Sequence, residues 1–143
     1  MTQDEFNSFC AALPHTHHVV QWGDADVWKV GAAETKKNKV FCVGGWRAQE
    51  LEPQEVRSAQ GATRKQKSFC VSFYCSEIAF EMLKDTPGCR PAPYLASRGM
   101  TWIQRFSDAG VTDTDLKDYI ENSHRLMSRK LTKKLQRELG FIE

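Results

Sequence analysis

The last third of the chain carries a one-sided apolar pattern that limits the folds open to it. Large apolar residues recur there at helical spacing and form a single stripe. The stripe consists of Leu116, Ile120, Met127, Leu131, Leu135 and Leu139, with Tyr119 and Leu126 beside its first half. Thr112 followed by Asp115 has the form of a helix start. The pattern predicts one long C-terminal helix that begins after Thr112 and packs through this stripe.

The N-terminal half predicts a first helix followed by short strands. Thr2 with Glu5 has the capping-box form and predicts a helix over residues 3–13. Runs with strand character follow at 18–22, 25–30 and 39–43, and we interpret them as an antiparallel meander. The alternating run 67–75 is the clearest strand.

The remaining segments predict a second helix, a last strand and one long connection. Ser76 is the expected N-cap of the second helix, with Ile78, Ala79, Met82 and Leu83 as its buried stripe. Residues 100–106 have the pattern of a last strand. Residues 47–66 lack aromatic side chains after Trp46 and predict a long exposed connection.

Size and composition indicate one globular domain over residues 1–143. No apolar run has the length of a membrane span, and the acidic N-terminus is unlike a signal peptide, so we expect a soluble, cytoplasmic protein. We also expect a monomer. Five cysteines without a Cys-x-x-Cys pair indicate reduced thiols. Only Cys89, on a predicted loop, is a candidate reactive thiol.

The net charge of +2 is small, but the charge is unevenly placed. Six basic residues and no acid occur between positions 125 and 137. On a continuous helix, Arg125, Arg129, Lys133 and Arg137 would form one ridge, with Lys130 and Lys134 beside it. Such a face is a candidate nucleic-acid surface, or simply a solvated helix face. The basic pairs at 36–37 and 64–65 are candidates to extend its positive field.

A second candidate site is the proline-rich segment 87–102. Its Arg90 and Arg98 suit phosphate or carboxylate, and its Tyr94 and Trp102 suit bases or rings. The alternative is structural: arginines that cap carbonyls or pair with acids, and aromatics that fill the core. Trp22, Trp28 and Lys29 complete the candidate loop and pocket residues, and the tryptophans would stack on bases only if the sheet face is open.

Metal binding and catalysis have little support in the sequence. The imidazoles of His15, His17 and His18 are close in sequence, but helical spacing and an acidic ligand are missing. Cys89 with His124 would form a thiolate pair only if the fold brings them together, and His124 is otherwise a packing histidine beside the stripe. The chain contains no nucleophile elbow, P-loop or dinucleotide fingerprint. We therefore expect a protein that is not an enzyme and has no cofactor.

The order of these features resembles the MmcQ/YjbR family of small bacterial proteins over nearly the whole chain except 47–66. The segments that carry the resemblance are 6–14, 20–23 with 27–31, 39–41, 87–102 with its Pro-Ala-Pro-Tyr core, 124–126 and 130–134. The resemblance implies an α+β, CyaY-like two-layer fold, in which helices from the two chain ends pack on one face of an antiparallel sheet. Members are commonly described as DNA-binding. The acidic first helix through which frataxin-like relatives bind iron is reduced here to Asp4 and Glu5, so an iron role is not supported.

We therefore predict a non-enzymatic DNA-binding protein that contacts phosphates through the basic residues at 125–137 and the loop arginines. The alternative is a small-molecule or peptide binding module, in which Arg90 and Arg98 hold an anionic group in a pocket beside the sheet.

Overall fold

The computed structural model describes residues 1–57, 60–66 and 68–143. Within them, four α-helices accompany a six-stranded and a two-stranded antiparallel sheet, which confirms the predicted α+β class. The helices are α1 (Gln3–Ala11), α2 (Glu77–Leu83), α3 (Asp113–Ser128) and α4 (Lys133–Glu138). The strands are β1 (Thr16–Gln21), β2 (Ala25–Gly31), β3 (Asn38–Gly44), β4 (Gln54–Arg57), β5 (Thr63–Gln66), β6 (Val71–Tyr74), β7 (Cys89–Pro91) and β8 (Trp102–Arg105).

The large sheet has the strand order β1-β2-β3-β6-β8-β7, and every neighbouring pair is antiparallel. The first three strands form the predicted meander. Strand β6 occupies the predicted run 67–75, although Lys67 itself lies outside the described residues. Within the described chain, no helix combines the length and apolar character needed to cross a membrane.

Helices from both ends of the chain pack on one face of this sheet. In α1, Phe6 lies so close to β3 that a Cβ added to Gly44 would be 2.5 Å from its ring. In α3, Tyr119 stacks on Phe73 of β6, with 5.2 Å between the ring centroids. This arrangement agrees with the fold that the family resemblance implies.

The opposite face of the sheet is also covered. Gln104 of β8 is fully buried, and its side-chain amide donates to the carbonyl oxygen of Trp46 at 2.7 Å. Arg90 Nε donates in turn to Gln104 Oε1 at 2.8 Å. Trp46, which follows β3, therefore covers this face at β8, and the sheet holds a buried amide there instead of an open aromatic ring.

The predicted connection 47–66 contains a hairpin. Strands β4 and β5 pair in antiparallel register, from Gln54 opposite Gln66 to Arg57 opposite Thr63. Polar residues dominate both strands, so the alternation on which strand prediction depends is missing there. Residues 58 and 59, which fall within the predicted connection, lie outside the described residues.

Helix α2 begins as predicted, but only part of its predicted apolar stripe is buried. The Ser76 side chain accepts a hydrogen bond from the Ala79 amide, as expected of an N-cap. Ile78 and Met82 are 84% and 61% exposed, so the predicted buried stripe is wrong at these two positions. Leu83 is 2% exposed and lies in the core, as predicted, and Ala79 is half-buried against the core.

The predicted single C-terminal helix is broken in two. Helix α3 ends at Ser128, and Thr132 adopts an extended conformation (φ −60°, ψ 151°) as the N-cap of α4. The Thr132 hydroxyl oxygen accepts a hydrogen bond from Leu135 N at 3.2 Å. The unbroken ridge predicted for Arg125, Arg129 and the basic residues of α4 is therefore wrong, because it assumed one continuous helix.

A buried glutamine stabilises this break. Gln136 is 1% exposed, and its side-chain amide donates to the carbonyl oxygens of Leu131 at 2.7 Å and Arg129 at 3.2 Å. These carbonyls follow the end of α3, where intrahelical donors are no longer available. Gln136 therefore joins the start of α4 to the end of α3.

We predict that Gln136→Leu lowers the free energy of unfolding by about 1–3 kcal/mol, because it removes the donor to two carbonyl groups. Urea denaturation measures the change. Lys133→Gln, at an exposed position of the same helix, is the control and should stay within about 0.5 kcal/mol of wild type. Equal midpoints for Gln136→Leu and wild type would contradict this role.

His124 is a packing residue, as the sequence suggested. It is 6% exposed, its Nε2 lies 2.7 Å from the carbonyl oxygen of Pro14, and its ring contacts Phe41 and Phe141 edge-on. Burial lowers the pKa of the imidazole below its usual value, although the hydrogen bond to Pro14 opposes this shift. The folded state therefore favours a neutral ring that donates to Pro14.

We predict that the free energy of unfolding falls as the pH is lowered below about 6.5. The unfolded chain protonates His124 in that range, whereas the folded state resists protonation until the pH approaches its lowered pKa. Urea denaturation between about pH 5 and 8 tests this, with His124→Gln as a variant that keeps an N–H donor but does not titrate. An equally steep fall in that variant would contradict the assignment.

Candidate functional site

A cavity of about 290 Å³ lies where the loop between β2 and β3 meets the break between α3 and α4. Its residues come from two segments that are far apart in sequence, and lysine is the commonest type among them. They are Lys36, Lys37, Lys39, Lys130, Leu131, Thr132, Lys134, Leu135 and Glu138. We call it the lysine cavity.

The first wall of the lysine cavity is a tightly held loop. The Asn38 side-chain amide donates to the carbonyl oxygen of Ala32 at 3.0 Å, which closes the loop on itself. Gly31 has a φ of +135°, and a Cβ there would lie 2.3 Å from the carbonyl oxygen of Lys37. Only glycine allows this approach. The loop therefore presents its three lysines from a defined backbone.

The second wall is produced by the helix break. Leu131 and Leu135 are 6% and 8% exposed and form an apolar floor. Lys130 and Lys134 are exposed on either side of the Thr132 cap. Since the chain turns at 129–132, these two lysines line the lysine cavity beside the loop instead of continuing along a helix ridge.

The lysine cavity is strongly cationic. All five of its lysines are exposed, and Glu138 is the single acid among its lining residues. Lys37 Nζ lies 3.4 Å from Glu34 Oε2, but both groups are more than half exposed, so this pair offsets little charge. An ammonium on a flexible stem binds phosphate oxygens as a point charge, with little demand on geometry.

The predicted basic residues are divided by this geometry. Lys130 and Lys134 line the lysine cavity together with the pair at 36–37. Arg125, Arg129, Lys133 and Arg137 are exposed on the surrounding helices but do not line it. The side chains of the other basic pair, at 64–65, lie outside the described part of the structure. The sequence reasoning missed Lys39 and Glu138, since no local signal joins residues so distant along the chain.

The loop arginines have separate partners. Arg90 lies in edge strand β7, where it bonds Gln104, and its Nη2 is 3.9 Å from Glu50 Oε2. Arg98 lies in an exposed 3₁₀ turn, where its Nη1 donates to the Tyr94 hydroxyl oxygen at 2.7 Å. The structure thus gives the two guanidinium groups different roles, in place of the shared anion pocket of the alternative prediction.

Two of the four candidate aromatic residues lie in the core and two are exposed. Trp28 and Trp102 are 6% and 5% exposed, and Trp28 Nε1 donates to Asn7 Oδ1 at 2.9 Å. Trp22 is 48% exposed, with its ring centroid 6.0 Å from that of Trp46. Lys29 is half-buried on β2. Of the proposed stacking residues, Trp22 and Tyr94 therefore present accessible ring surface.

The three N-terminal histidines have different partners. His15 packs against Phe141, His17 Nε2 bonds the carbonyl oxygen of Gly31, and His18 Nε2 lies 2.8 Å from Asp26 Oδ1. Over the described residues, no group of three or more potential ligands is placed to hold a metal ion.

Cys89 is not the exposed loop thiol that the sequence suggested. It lies in β7 at 7% exposure, and burial raises the pKa of its thiol to about 11. His124 is bonded instead to Pro14, on the side of the fold near the first helix. The geometry therefore offers no thiolate pair between these two residues.

The described residues form a small α+β protein with a basic cavity. The YjbR family model matches residues 11–126, so the chain belongs to the YjbR family. The matched range ends before Lys130, and the second wall of the lysine cavity lies beyond it.

Solved structures support the same fold. A crystal structure of a Deinococcus radiodurans protein with a DUF419 domain has a TM-score of 0.69 and 20% identity, covering 97% of this chain and 88% of that one. DUF419 is another name for the same family. A Pseudomonas syringae protein has a TM-score of 0.59 and 14% identity, covering 89% of this chain and 99% of that one. No curated protein matches the chain significantly.

Proposed function

We propose that this protein is a non-enzymatic DNA-binding protein that holds phosphate groups in the lysine cavity and on the basic surface around it. The observation that carries the proposal is the convergence of lysines from 36–39 and 130–134 on one cavity. Exposed arginines of α3 and α4 widen the cationic surface beyond it. The common description of the family as DNA-binding agrees with this assignment.

The chemistry of the surface favours phosphate contacts over base readout. When lysine side chains neutralise backbone phosphates, the counterions condensed on the DNA are released. This release favours binding, and the affinity therefore falls as the salt concentration rises. Such contacts orient a protein on DNA but carry little sequence information. We therefore expect weak sequence preference.

The proposal assigns no nucleophilic role to the buried cysteines. Burial raises the pKa of Cys75 to about 12 and that of Cys89 to about 11, so both remain thiols near neutral pH. A nucleophilic cysteine needs the opposite environment, electropositive and partly exposed.

Charge removal inside the lysine cavity tests the proposal. We predict that Lys39→Gln combined with Lys134→Gln weakens binding of labelled duplex DNA, measured by fluorescence anisotropy over a range of salt concentrations. If each lysine engages one phosphate, the slope of log affinity against log salt should fall by about 0.9 per lysine.

The matched control is Lys84→Gln combined with Lys117→Gln, which removes the same charge elsewhere. Lys117 lies in the first half of α3, about 20 Å along the helix direction from position 130. The proposal fails if wild-type protein does not bind DNA at low salt, or if the two double variants lose the same affinity. Arg98→Gln tests the alternative function, because a pocket that holds its anion with the Arg98 guanidinium would lose affinity, whereas the lysine cavity does not include that residue.

A further inference from the structure

A second cavity, of about 330 Å³, lies beside the lysine cavity and shares one residue with it. The shared residue is Lys130. The other residues that line the second cavity are mainly aromatic, methionine or small. They are Tyr74, Glu77, Gly99, Met100, Thr101, Trp102 and Met127.

Lys130 is held at the boundary between the two cavities. Its Nζ lies 4.4 Å from the centroid of the Tyr74 ring, a cation–π contact that orients the ammonium group. Its backbone amide donates to the carbonyl oxygen of Met127 at 3.0 Å. A ligand bound in either cavity would therefore lie close to the same ammonium group, that of Lys130.

The second cavity differs from the first in charge and polarity. Met127 and Trp102 are 8% and 5% exposed and form an apolar floor, and Met100, 46% exposed, stands at the rim. Glu77 supplies a carboxylate there, which disfavours a phosphate but can accept hydrogen bonds from the N–H groups of a base. The Thr101 hydroxyl donates its hydrogen bond to the carbonyl oxygen of Cys75 at 2.6 Å, so its proton is not free for a ligand.

The two cavities together match the two ends of a nucleotide. A nucleotide has an anionic phosphate, suited to the lysine cavity, and a flat apolar base with N–H donors, suited to the second. A base that is stacked and paired inside a duplex cannot enter a cavity, whereas a base in a single strand is free to do so.

We propose that the preferred DNA is single-stranded, and that one nucleotide lies across Lys130 with its phosphate in the lysine cavity and its base in the cavity lined by Tyr74 and Met100. This inference rests on the proposed function and names the form of DNA that the site takes. It assigns base contacts to the end of the segment 87–102, at residues 99–102, and not to Arg90 and Tyr94.

Met100→Glu tests this assignment, with Met82→Glu as its matched control. Both methionines are exposed, at 46% and 61%, and both substitutions change the net charge equally. Anisotropy is measured at one salt concentration with single-stranded and duplex DNA of equal length. Met100→Glu should weaken single-strand binding about tenfold more than Met82→Glu does, in line with the loss of one base contact. The two variants should bind duplex DNA alike.

Competition supplies a second measurement with wild-type protein. A deoxynucleoside monophosphate should displace the labelled single strand at lower concentration than either inorganic phosphate or the free deoxynucleoside. Equal affinity for both DNA forms, with Met100→Glu matching Met82→Glu, would overturn the inference while leaving phosphate binding by the lysines intact. Failure of wild-type protein to bind either form at low salt would overturn the proposed function and the inference together.

Discussion

The site depends on the hydrogen bonds with which Gln136 joins the end of α3 to the start of α4. The Gln136 amide satisfies the carbonyls of Arg129 and Leu131, and the Thr132 hydroxyl satisfies an amide at the start of α4. These bonds offset the loss of helical hydrogen bonds at the break. Without the break, the basic residues that follow α3 would continue along a helix instead of turning toward Lys36 and its neighbours.

The lysine cavity brings like charges together, and this has an energetic consequence. Two unit charges 4 Å apart repel by about 1 kcal/mol in water and about 4 kcal/mol near a protein surface. A bound anion removes part of this repulsion, so relief of repulsion adds to the direct attraction. Both effects weaken when salt reduces the screening length to about 8–10 Å. The close backbone approach at Gly31, the Asn38 hydrogen bond and the helix junction joined by Gln136 can hold such an arrangement without an anion.

The sequence predicted local features well because their causes are local. The caps at Ser76 and Thr112, the alternation of β6 and the early meander each follow from residues a few positions apart. The helix break was missed because the apolar stripe continues through it, and Thr132 is an N-cap without the acidic or amide partner of a capping box. The lysine cavity joins segments more than 90 positions apart, a pairing that no local pattern encodes.

The most direct measurement is a titration of ¹⁵N-labelled protein with a short single-stranded oligonucleotide, followed through backbone amide chemical shifts. The account predicts that the largest changes occur at residues 36–39 and 130–138, joined by smaller ones at 99–101. Changes centred on 90–98, with the two lysine segments unaffected, would contradict it and transfer the binding site to the part of the proline-rich segment that carries Arg90, Tyr94 and Arg98.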